Sequence, residues 1–335
     1  MANAEQLKAL LRSHLSGDDA HFRAVAMQIA SSSARQGNNQ LAQELRDLID
    51  RARRPQAPVA SPRAVPITRP SGELAGMVTA SYPATRLAEM VLRESTVSRL
   101  HGAVYQYHQR DLLRSHGLQP RRKLLLLGPP GCGKTMSASA IAGECGLPLM
   151  FVQLHSLITK YMGETAAKLH LIFDAMVETR GVYLFDEFDA IGYHRDSKND
   201  VGEIRRVLNS FLQFLERDDS DSIIIAATNF AGMLDEALFR RFDDIIVYEP
   251  PTPRMVRQLI QNRLSVFETR DIQWKTLVPA ARALSHAEIT RACEEAAREA
   301  VLNGTKAIST ESLNKALVAR NGPTHRRVAK RQFDR

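Results

Sequence analysis

A glycine-rich stretch of eight residues constrains the fold of this chain more than any other feature. Residues Gly128-Pro129-Pro130-Gly131-Cys132-Gly133-Lys134-Thr135 match the pattern G-x-x-x-x-G-K-[ST] in full. The apolar run KLLLL precedes the stretch and a helical pattern, Met136–Cys145, follows it, which is the context that the pattern requires. Backbone amides of such a loop turn toward phosphate oxygens, and the positive end of the next helix adds to the field. The stretch therefore predicts a phosphate-binding loop, and the alternative is a plain glycine turn.

Each part of this loop has an expected role. We expect Lys134 to bridge the β- and γ-phosphates of a nucleotide, and the hydroxyl of Thr135 to bind Mg²⁺. Cys132 occupies a variable position of the pattern and is interpreted as a spacer, with a redox role as the alternative. The residues expected to contact the nucleotide are Gly128, Pro129, Pro130, Gly131, Cys132, Gly133, Lys134, Thr135 and Met136.

Apolar runs alternate with helical patterns from about residue 80, which predicts an α/β fold with a parallel sheet covered by helices on both faces. The five predicted strands are Lys123–Leu127, Leu149–Val152, Val182–Phe185, Ile223–Ala227 and Ile245–Val247. After Pro250 and Pro251 the strand pattern ends. The remaining chain predicts helices at Arg254–Phe267, Ala287–Asn303 and Thr310–Ala319, which would form a second, all-α subdomain.

The segment before residue 80 has a different composition. Residues 1–54 contain three short amphipathic patterns and predict a small helical module, either a structural prop or a unit that recruits a substrate or partner. Five prolines between residues 55 and 70 interrupt helix and sheet, so we interpret 55–80 as a linker. The predicted domains are then 1–54, the linker, the α/β subdomain 81–250, the helical subdomain 251–322 and a basic tail, 323–335.

Net charge, hydropathy and cysteine content indicate in which compartment this chain works and with which partners. The net charge is +8, but many of the basic residues lie at the ends of the first segment and of the chain, where solvated tails are more common than nucleic-acid readers. The sequence has no apolar run long enough to span a membrane and no pattern of a signal peptide. Three scattered cysteines indicate a reducing compartment. We therefore expect a cytoplasmic protein without a membrane partner.

A pair of carboxylates follows the third predicted strand. In a parallel sheet the carboxyl ends of the strands meet at one edge, so Asp186 and Glu187 should face the same crevice as the phosphate-binding loop. Asp186 is expected to hold the hydrated Mg²⁺ and Glu187 to orient or deprotonate the attacking water. By itself such a pair is more often found in an exposed loop. Here it follows the phosphate-binding loop by about fifty residues along the chain, and this separation favours the functional interpretation.

Together these motifs resemble the AAA ATPases, a branch of the larger AAA+ superfamily, over about residues 118–301. Gly128–Thr135 is similar to Walker A, Tyr183–Glu187 to Walker B, and Ala227-Thr228-Asn229 to sensor 1. The resemblance implies a P-loop NTPase with a helical lid that hydrolyses ATP with Mg²⁺. It also implies that Asn229 senses the γ-phosphate and helps to place the attacking water.

The segment Leu234–Phe242 resembles the second region of homology, and its Arg240 and Arg241 align with the arginines that reach into a neighbouring subunit's site. A guanidinium neutralises the charge that phosphoryl transfer spreads over the equatorial oxygens. The alternative for both arginines is a local ion pair with Asp243 or Asp244. If they act in the neighbouring site, activity requires a ring, and the resemblance implies a homo-hexamer.

Lys160–Glu164 resembles the pore loop of members that translocate proteins. There Tyr161, with Met162 and Gly163, would grip an extended polypeptide; the alternative is a packed loop. Residues 193–202 would form a second pore loop, and Arg205 and Arg206 would face a subunit interface. The segment Leu284–Ile289 departs from the family, because His286 stands where a glycine is common. The contacts to adenine are not indicated by the sequence.

Three functions follow from these interpretations. The first is a hexameric ring that uses ATP to remodel, unfold or translocate proteins. The chain also resembles bacterial single-module AAA proteins that are encoded beside subtilisin-like serine peptidases, which implies a partner peptidase and a role in plasmid incompatibility or phage defence. The second is a nucleic-acid-associated AAA+ ATPase of the initiator or loader type, which the net charge favours. The third is a nucleotide switch that binds ATP without hydrolysing it. The presence of all the residues expected for hydrolysis, Glu187, Asn229, Arg240 and Arg241, disfavours this function.

Overall fold

The computed structural model of the protein describes Val25, Pro70 and residues 72–157, 162–188, 200–229, 239–269 and 271–321. The chain divides into two compact units, Met1–Ala64 and Val65–Arg335. In the first unit Val25 is the described residue, and it is helical and buried. The predicted helical module, most of the linker and the basic tail lie outside the described residues.

The second unit contains a six-stranded, mostly parallel sheet. Its strands are β1 Val78–Ser81, β2 Lys123–Leu127, β3 Leu149–Val152, β4 Val182–Phe185, β5 Ile223–Thr228 and β6 Asp244–Val247. They lie side by side in the order β1-β3-β4-β5-β2-β6. Strands β2 to β6 run parallel to one another. The sequence predicts five parallel strands, and the structure corrects this, because β1 joins the edge of the sheet antiparallel to β3. The strand β1 begins within the segment interpreted as a linker.

The sheet lies at the centre of the second unit because its strands are apolar on both faces. The side chains of Leu124 and Leu125 point to opposite faces of β2, and both are fully buried. The helices of this part are α1 Glu94–His108, α2 Arg110–Ser115, α3 Lys134–Cys145, α4 Leu154–Leu157, α5 Met162–Glu178 and α6 Asp200–Arg217. On one face of the sheet, Leu124 packs in a core that includes residues of α1 and α3, and on the other face Leu125 packs in a core that includes residues of α5 and α6.

Four helices follow the sheet and share a core of their own. They are α7 Pro253–Arg263, α8 Trp274–Ala280, α9 His286–Leu302 and α10 Thr310–Asn321. Thr252 begins α7 with a side-chain cap on the amide of Met255, and Pro253 occupies the first turn, where no amide donor is needed. The sequence predicts α7, α9 and α10 but not α8, which is short and contains Pro279.

Two further properties bear on the environment of the protein. None of the helices within the described ranges is both long enough and apolar enough to cross a membrane. All three cysteines, Cys132, Cys145 and Cys293, are buried free thiols.

Candidate functional site

The glycine-rich loop connects β2 to α3 and packs tightly between two other parts of the chain. At Gly131 the backbone is left-handed (φ 73°), and a Cβ added there would lie 2.7 Å from Ser285 Oγ. At Gly128 an added Cβ would lie 2.5 Å from the carbonyl oxygen of Tyr248. Side chains at either position would push the loop away from its neighbours. The glycines therefore let the loop backbone approach both β6 and the start of α9.

Lys134 joins this loop to the end of β5. Its ammonium group donates to the carbonyl oxygens of Gly128 (2.6 Å) and Pro129 (3.0 Å) and to Oδ1 of Asn229 (2.9 Å). The residue is only 7% exposed. Three directional contacts hold the long side chain in one position, although a lysine loses much rotamer freedom when it is ordered. The cation predicted for phosphate binding and the predicted sensor residue are thus in direct contact.

Thr135 joins the loop to the end of β4. Its hydroxyl donates to Oδ2 of Asp186 at 2.6 Å, and Oδ1 of Asp186 accepts from the amide of Glu187 at 2.9 Å. Glu187 has a left-handed backbone (φ 52°), which costs a residue with a Cβ about 1–2 kcal/mol. Its side chain is exposed and lines the cavity beside Asp186. A strained conformation that turns a carboxylate into a cavity is a common feature of functional sites.

The hydroxyl and carboxylate oxygens of Thr135 and Asp186 are hard donors of the kind that Mg²⁺ prefers. Mg²⁺ usually takes only one or two ligands from the protein and completes its octahedron with water and phosphate oxygens. The pair therefore fits a magnesium ion bound together with a phosphate group.

A cavity of about 760 Å³ extends from these residues, which is within the usual range for sites of small molecules. One part of its wall consists of the loop and the polar side chains Asp186, Glu187 and Asn229. The remaining wall comes from the segment before α1 and from the C-terminal helices, and includes Met90, Val91, Leu92, Leu259, His286 and Ala287. The sequence does not predict that residues 89–92 line the site.

The start of α9 lies against the glycine-rich loop. The amide of Ala287 donates to the carbonyl oxygen of Gly131 at 3.0 Å. Ser285 caps the helix in a capping box with Glu288, in which each side chain accepts from the other residue's backbone amide. The C-terminal helices are thus hydrogen-bonded to the loop through the first turn of α9.

His286 is the first residue of α9 and is 8% exposed. Neither of its ring nitrogens has a hydrogen-bond partner among the described residues. Burial lowers the pKa of the imidazole from its ordinary value, and the backbone of Val91 opposes this shift. The ring is therefore neutral at pH 7.

Arg240 and Arg241 lie before β6, and neither is among the described residues that line the cavity. Arg241 forms an ion pair with Glu216 of α6, whereas Arg240 is exposed. Asp243 accepts from two backbone amides at the start of β2, and Asp244 forms ion pairs with two other arginines. The acidic partner of Arg241 in this chain is therefore Glu216 rather than Asp243 or Asp244.

Other predicted residues fall in parts that the structure does not describe. Tyr161 and residues 193–199 and 234–238 lie outside the described residues. Met162 and Gly163 begin α5, and Arg205 and Arg206 lie within α6, where the backbone alone is described.

Comparison with known proteins gives one family. A family model described as "ATPase family associated with various cellular activities (AAA)" matches residues 124–250. A Sinorhizobium fredii (strain NBRC 101917 / NGR234) protein, named uncharacterized AAA family ATPase y4kL, is 35% identical over 95% of each chain. A human relative named for the katanin p60 ATPase is 32% identical over 206 residues, or 58% of this chain and 42% of its own. The human ATPase family gene 2 protein homolog A is 34% identical over 57% of this chain and 22% of its own.

Proposed function

The chain belongs to the AAA family of ATPases and hydrolyses ATP, and we propose that ATP and Mg²⁺ bind in the cavity beside the glycine-rich loop. The observation that carries this proposal is the pair of contacts Lys134–Asn229 and Thr135–Asp186, because they join the loop to the ends of two strands. A phosphate group held at this edge meets the Lys134 cation and the loop amides. Mg²⁺ held beside it meets a hydroxyl and a carboxylate.

Glu187 and Asn229 complete the hydrolytic set. We assign Glu187 as the general base that orients the attacking water, because its side chain enters the cavity next to Asp186. Asn229 positions the water or the γ-phosphate, and Lys134 neutralises charge on the phosphate oxygens. Lys134 must then exchange its bonds to loop carbonyls for bonds to phosphate, which is favourable because ionised acceptors form stronger hydrogen bonds.

We further propose that the protein acts as a hexameric ring in which Arg240 and Arg241 complete the site of a neighbouring subunit. Their position supports this, because neither arginine lines the cavity of its own chain among the described residues. Arg241 would exchange its ion pair with Glu216 for the γ-phosphate across the interface. A guanidinium supplied in this way accelerates phosphoryl transfer by about 10³–10⁵-fold in other enzymes.

The proposed substrate is a polypeptide that the ring remodels, unfolds or translocates. Support comes from the family, from the sequence match to a katanin-named ATPase and from the motif at Tyr161, Met162 and Gly163. We propose that Tyr161 contacts the polypeptide in a central pore, that the helices from α7 onwards act as a lid and that residues 1–54 recruit the substrate. A subtilisin-like peptidase partner and a role in plasmid incompatibility or phage defence remain proposals from the resemblance. The three free cysteines support a cytoplasmic location.

A trapping experiment tests this function. The Glu187→Gln variant should bind ATP without releasing it as ADP, so a purified ring should retain polypeptide clients with ATP and release them without it. Lys134→Ala serves as the control in which ATP binding is strongly weakened, and Tyr161→Ala as the control that hydrolyses ATP without gripping a client. Retention of nucleic acid instead of polypeptide would support the initiator or loader alternative. Equal retention by Tyr161→Ala would contradict the assignment of the pore.

A further inference from the structure

Tyr248 contacts both ends of the glycine-rich loop. It follows β6, and its amide donates to the carbonyl oxygen of Leu127 at 2.6 Å. Its own carbonyl oxygen lies against Gly128, the first residue of the loop. Its hydroxyl extends beyond the other end of the loop, where it donates to Ser137 Oγ in the first turn of α3 at 2.6 Å. One residue therefore contacts the start of the loop and the helix that follows it.

Ser137 connects Tyr248 to Gly133. The Ser137 hydroxyl has one proton, and the carbonyl oxygen of Gly133 at 3.0 Å is a nearer and stronger acceptor for it than the sulfur of Met90 at 3.8 Å. The lone pairs of Ser137 Oγ remain to accept from Tyr248, which keeps its phenolic proton at pH 7. Two hydrogen bonds thus lead from Tyr248 through Ser137 to Gly133. Both Tyr248 and Ser137 are buried, and such bonds are stronger where water is excluded.

The carbonyl oxygen of Gly133 determines the direction of a neighbouring amide. Gly133 is the N-cap of α3 and has a left-handed backbone (φ 100°), a conformation that a glycine also leaves easily. The peptide unit that joins Gly133 to Lys134 is planar and trans, so the N–H of Lys134 points away from the Gly133 oxygen. It points toward the amino end of α3, where the amides and the dipole of a helix favour an anion. Holding the oxygen therefore aims this amide at the place expected for phosphate.

We propose that Tyr248 and Ser137 are positioning residues that hold the peptide unit between Gly133 and Lys134 in the orientation that binds phosphate. This role rests on the proposed binding of ATP in the cavity. Neither Tyr248 nor Ser137 is among the described residues that line the cavity, so both act through the loop and not on the nucleotide itself. A loop that is already ordered in its bound conformation binds more tightly, because binding no longer has to supply that order.

Ser137→Ala removes both hydrogen bonds, and Ser222→Ala is its matched control. Ser222 is also fully buried, and its hydroxyl accepts from the amide of Gly181 at 3.2 Å and donates to the carbonyl oxygen of Met176 at 3.0 Å. It precedes β5, at the amino end of the strand, whereas the cavity lies at the carboxyl ends. Each substitution leaves one buried donor without its partner, so each should lower the urea midpoint. Ser222→Ala should lower it at least as much, because alanine favours the helix at position 137.

Titration calorimetry of the whole chain with ATP separates positioning from stability. We expect Ser137→Ala to weaken ATP binding about three- to tenfold, the contribution of one hydrogen bond, and Ser222→Ala to bind ATP as wild type does. Tyr248→Phe loses a hydroxyl and keeps the ring, and it should also weaken ATP binding. In the double variant Ser137→Ala/Tyr248→Phe the Tyr248 hydroxyl is no longer left unpaired, so the urea midpoint should recover while ATP binding stays weak.

Three results would overturn the roles of Tyr248 and Ser137. They are wild-type ATP affinity in Ser137→Ala, an equal loss of affinity in Ser222→Ala, and recovery of affinity together with stability in the double variant. The last two would show that ATP binding follows the stability of the fold. Lys134→Ala distinguishes this failure from a failure of the nucleotide site. If Lys134→Ala weakens ATP binding and Ser137→Ala does not, the positioning role is wrong; if Lys134→Ala leaves the affinity unchanged, the site itself is wrong.

Discussion

Removing the cap of α9 should loosen the contact between the C-terminal helices and the glycine-rich loop. Ser285 Oγ accepts from the amide of Glu288 at 3.3 Å and donates to the Glu288 carboxylate at 2.8 Å, and both bonds disappear in Ser285→Ala. Loss of an N-cap costs about 1 kcal/mol. The amide of Ala287, which donates to Gly131, lies in the same turn. The variant should therefore lose stability and nucleotide affinity together.

Thr252→Ala provides a matched control. Thr252 caps α7 through its hydroxyl and the amide of Met255, at the same 3.3 Å, but among the described residues no hydrogen bond joins the start of α7 to the glycine-rich loop. Each variant removes one cap from a helix in the same core, so each should lower the free energy of unfolding by about 1 kcal/mol. The effect on ATP binding should differ. We expect Ser285→Ala to weaken ATP by up to about fivefold, the equivalent of 1 kcal/mol, and Thr252→Ala to leave it unchanged.

The single tryptophan of the chain makes the comparison direct. Trp274 begins α8 and packs against the core of the C-terminal helices, so its fluorescence during urea unfolding reports on this part of the molecule. ATP affinity is measured separately by titration calorimetry. Equal ATP affinities for the two variants would refute the coupling of α9 to the loop. If neither variant loses stability, the cost of about 1 kcal/mol that we assign to each cap is wrong.

Three further substitutions test the roles of Lys134, Arg241 and Gly143. Lys134→Ala removes three contacts of a cation and should weaken ATP binding about a hundredfold or more by calorimetry, and unchanged affinity would contradict the site. Arg241→Ala should lower the ATPase rate about 10³-fold or more, and mixing it with Lys134→Ala should restore part of the rate; a mixture without any recovery argues against action across subunits. Gly143→Ala usually stabilises a helix, but here its methyl would lie 2.4 Å from the carbonyl oxygen of Thr85. The free energy of unfolding, measured by urea denaturation, should therefore fall by about 1–3 kcal/mol. A rise would show that the backbone around this contact can shift to accommodate the methyl group.

The sequence predicts the parallel strands and the glycine-rich loop well because local pattern determines them. The run at β2 is apolar at successive positions, and such runs are buried on both faces of a sheet. The strand β1 has four residues, VTAS, with one buried side chain, so no periodic signal distinguishes it from a loop. It becomes a strand through pairing with β3, which lies about seventy residues further along the chain.

The parts of the site that the sequence does not predict depend on tertiary packing. Val91 and Leu92 form cavity wall because the chain before α1 passes beside Gly133, and nothing in their own segment indicates this. Glu216 meets Arg241 only because α6 and the turn before β6 come together in the fold. A sequence motif identifies the groups proposed to contact phosphate, whereas the apolar wall of the cavity comes from segments that are far apart in the chain.

If ATP is hydrolysed in this cavity with Glu187 as the base, the Glu187→Gln variant should retain ATP binding and lose hydrolysis. Binding of ATP and formation of ADP are measured on the same preparations of wild type, Glu187→Gln and Glu178→Gln, in which an exposed glutamate at the end of α5 loses the same charge. We expect all three to bind ATP within about twofold, while Glu187→Gln alone hydrolyses it about 10²–10⁴-fold more slowly. Wild-type turnover by Glu187→Gln would show that Glu187 is not the base.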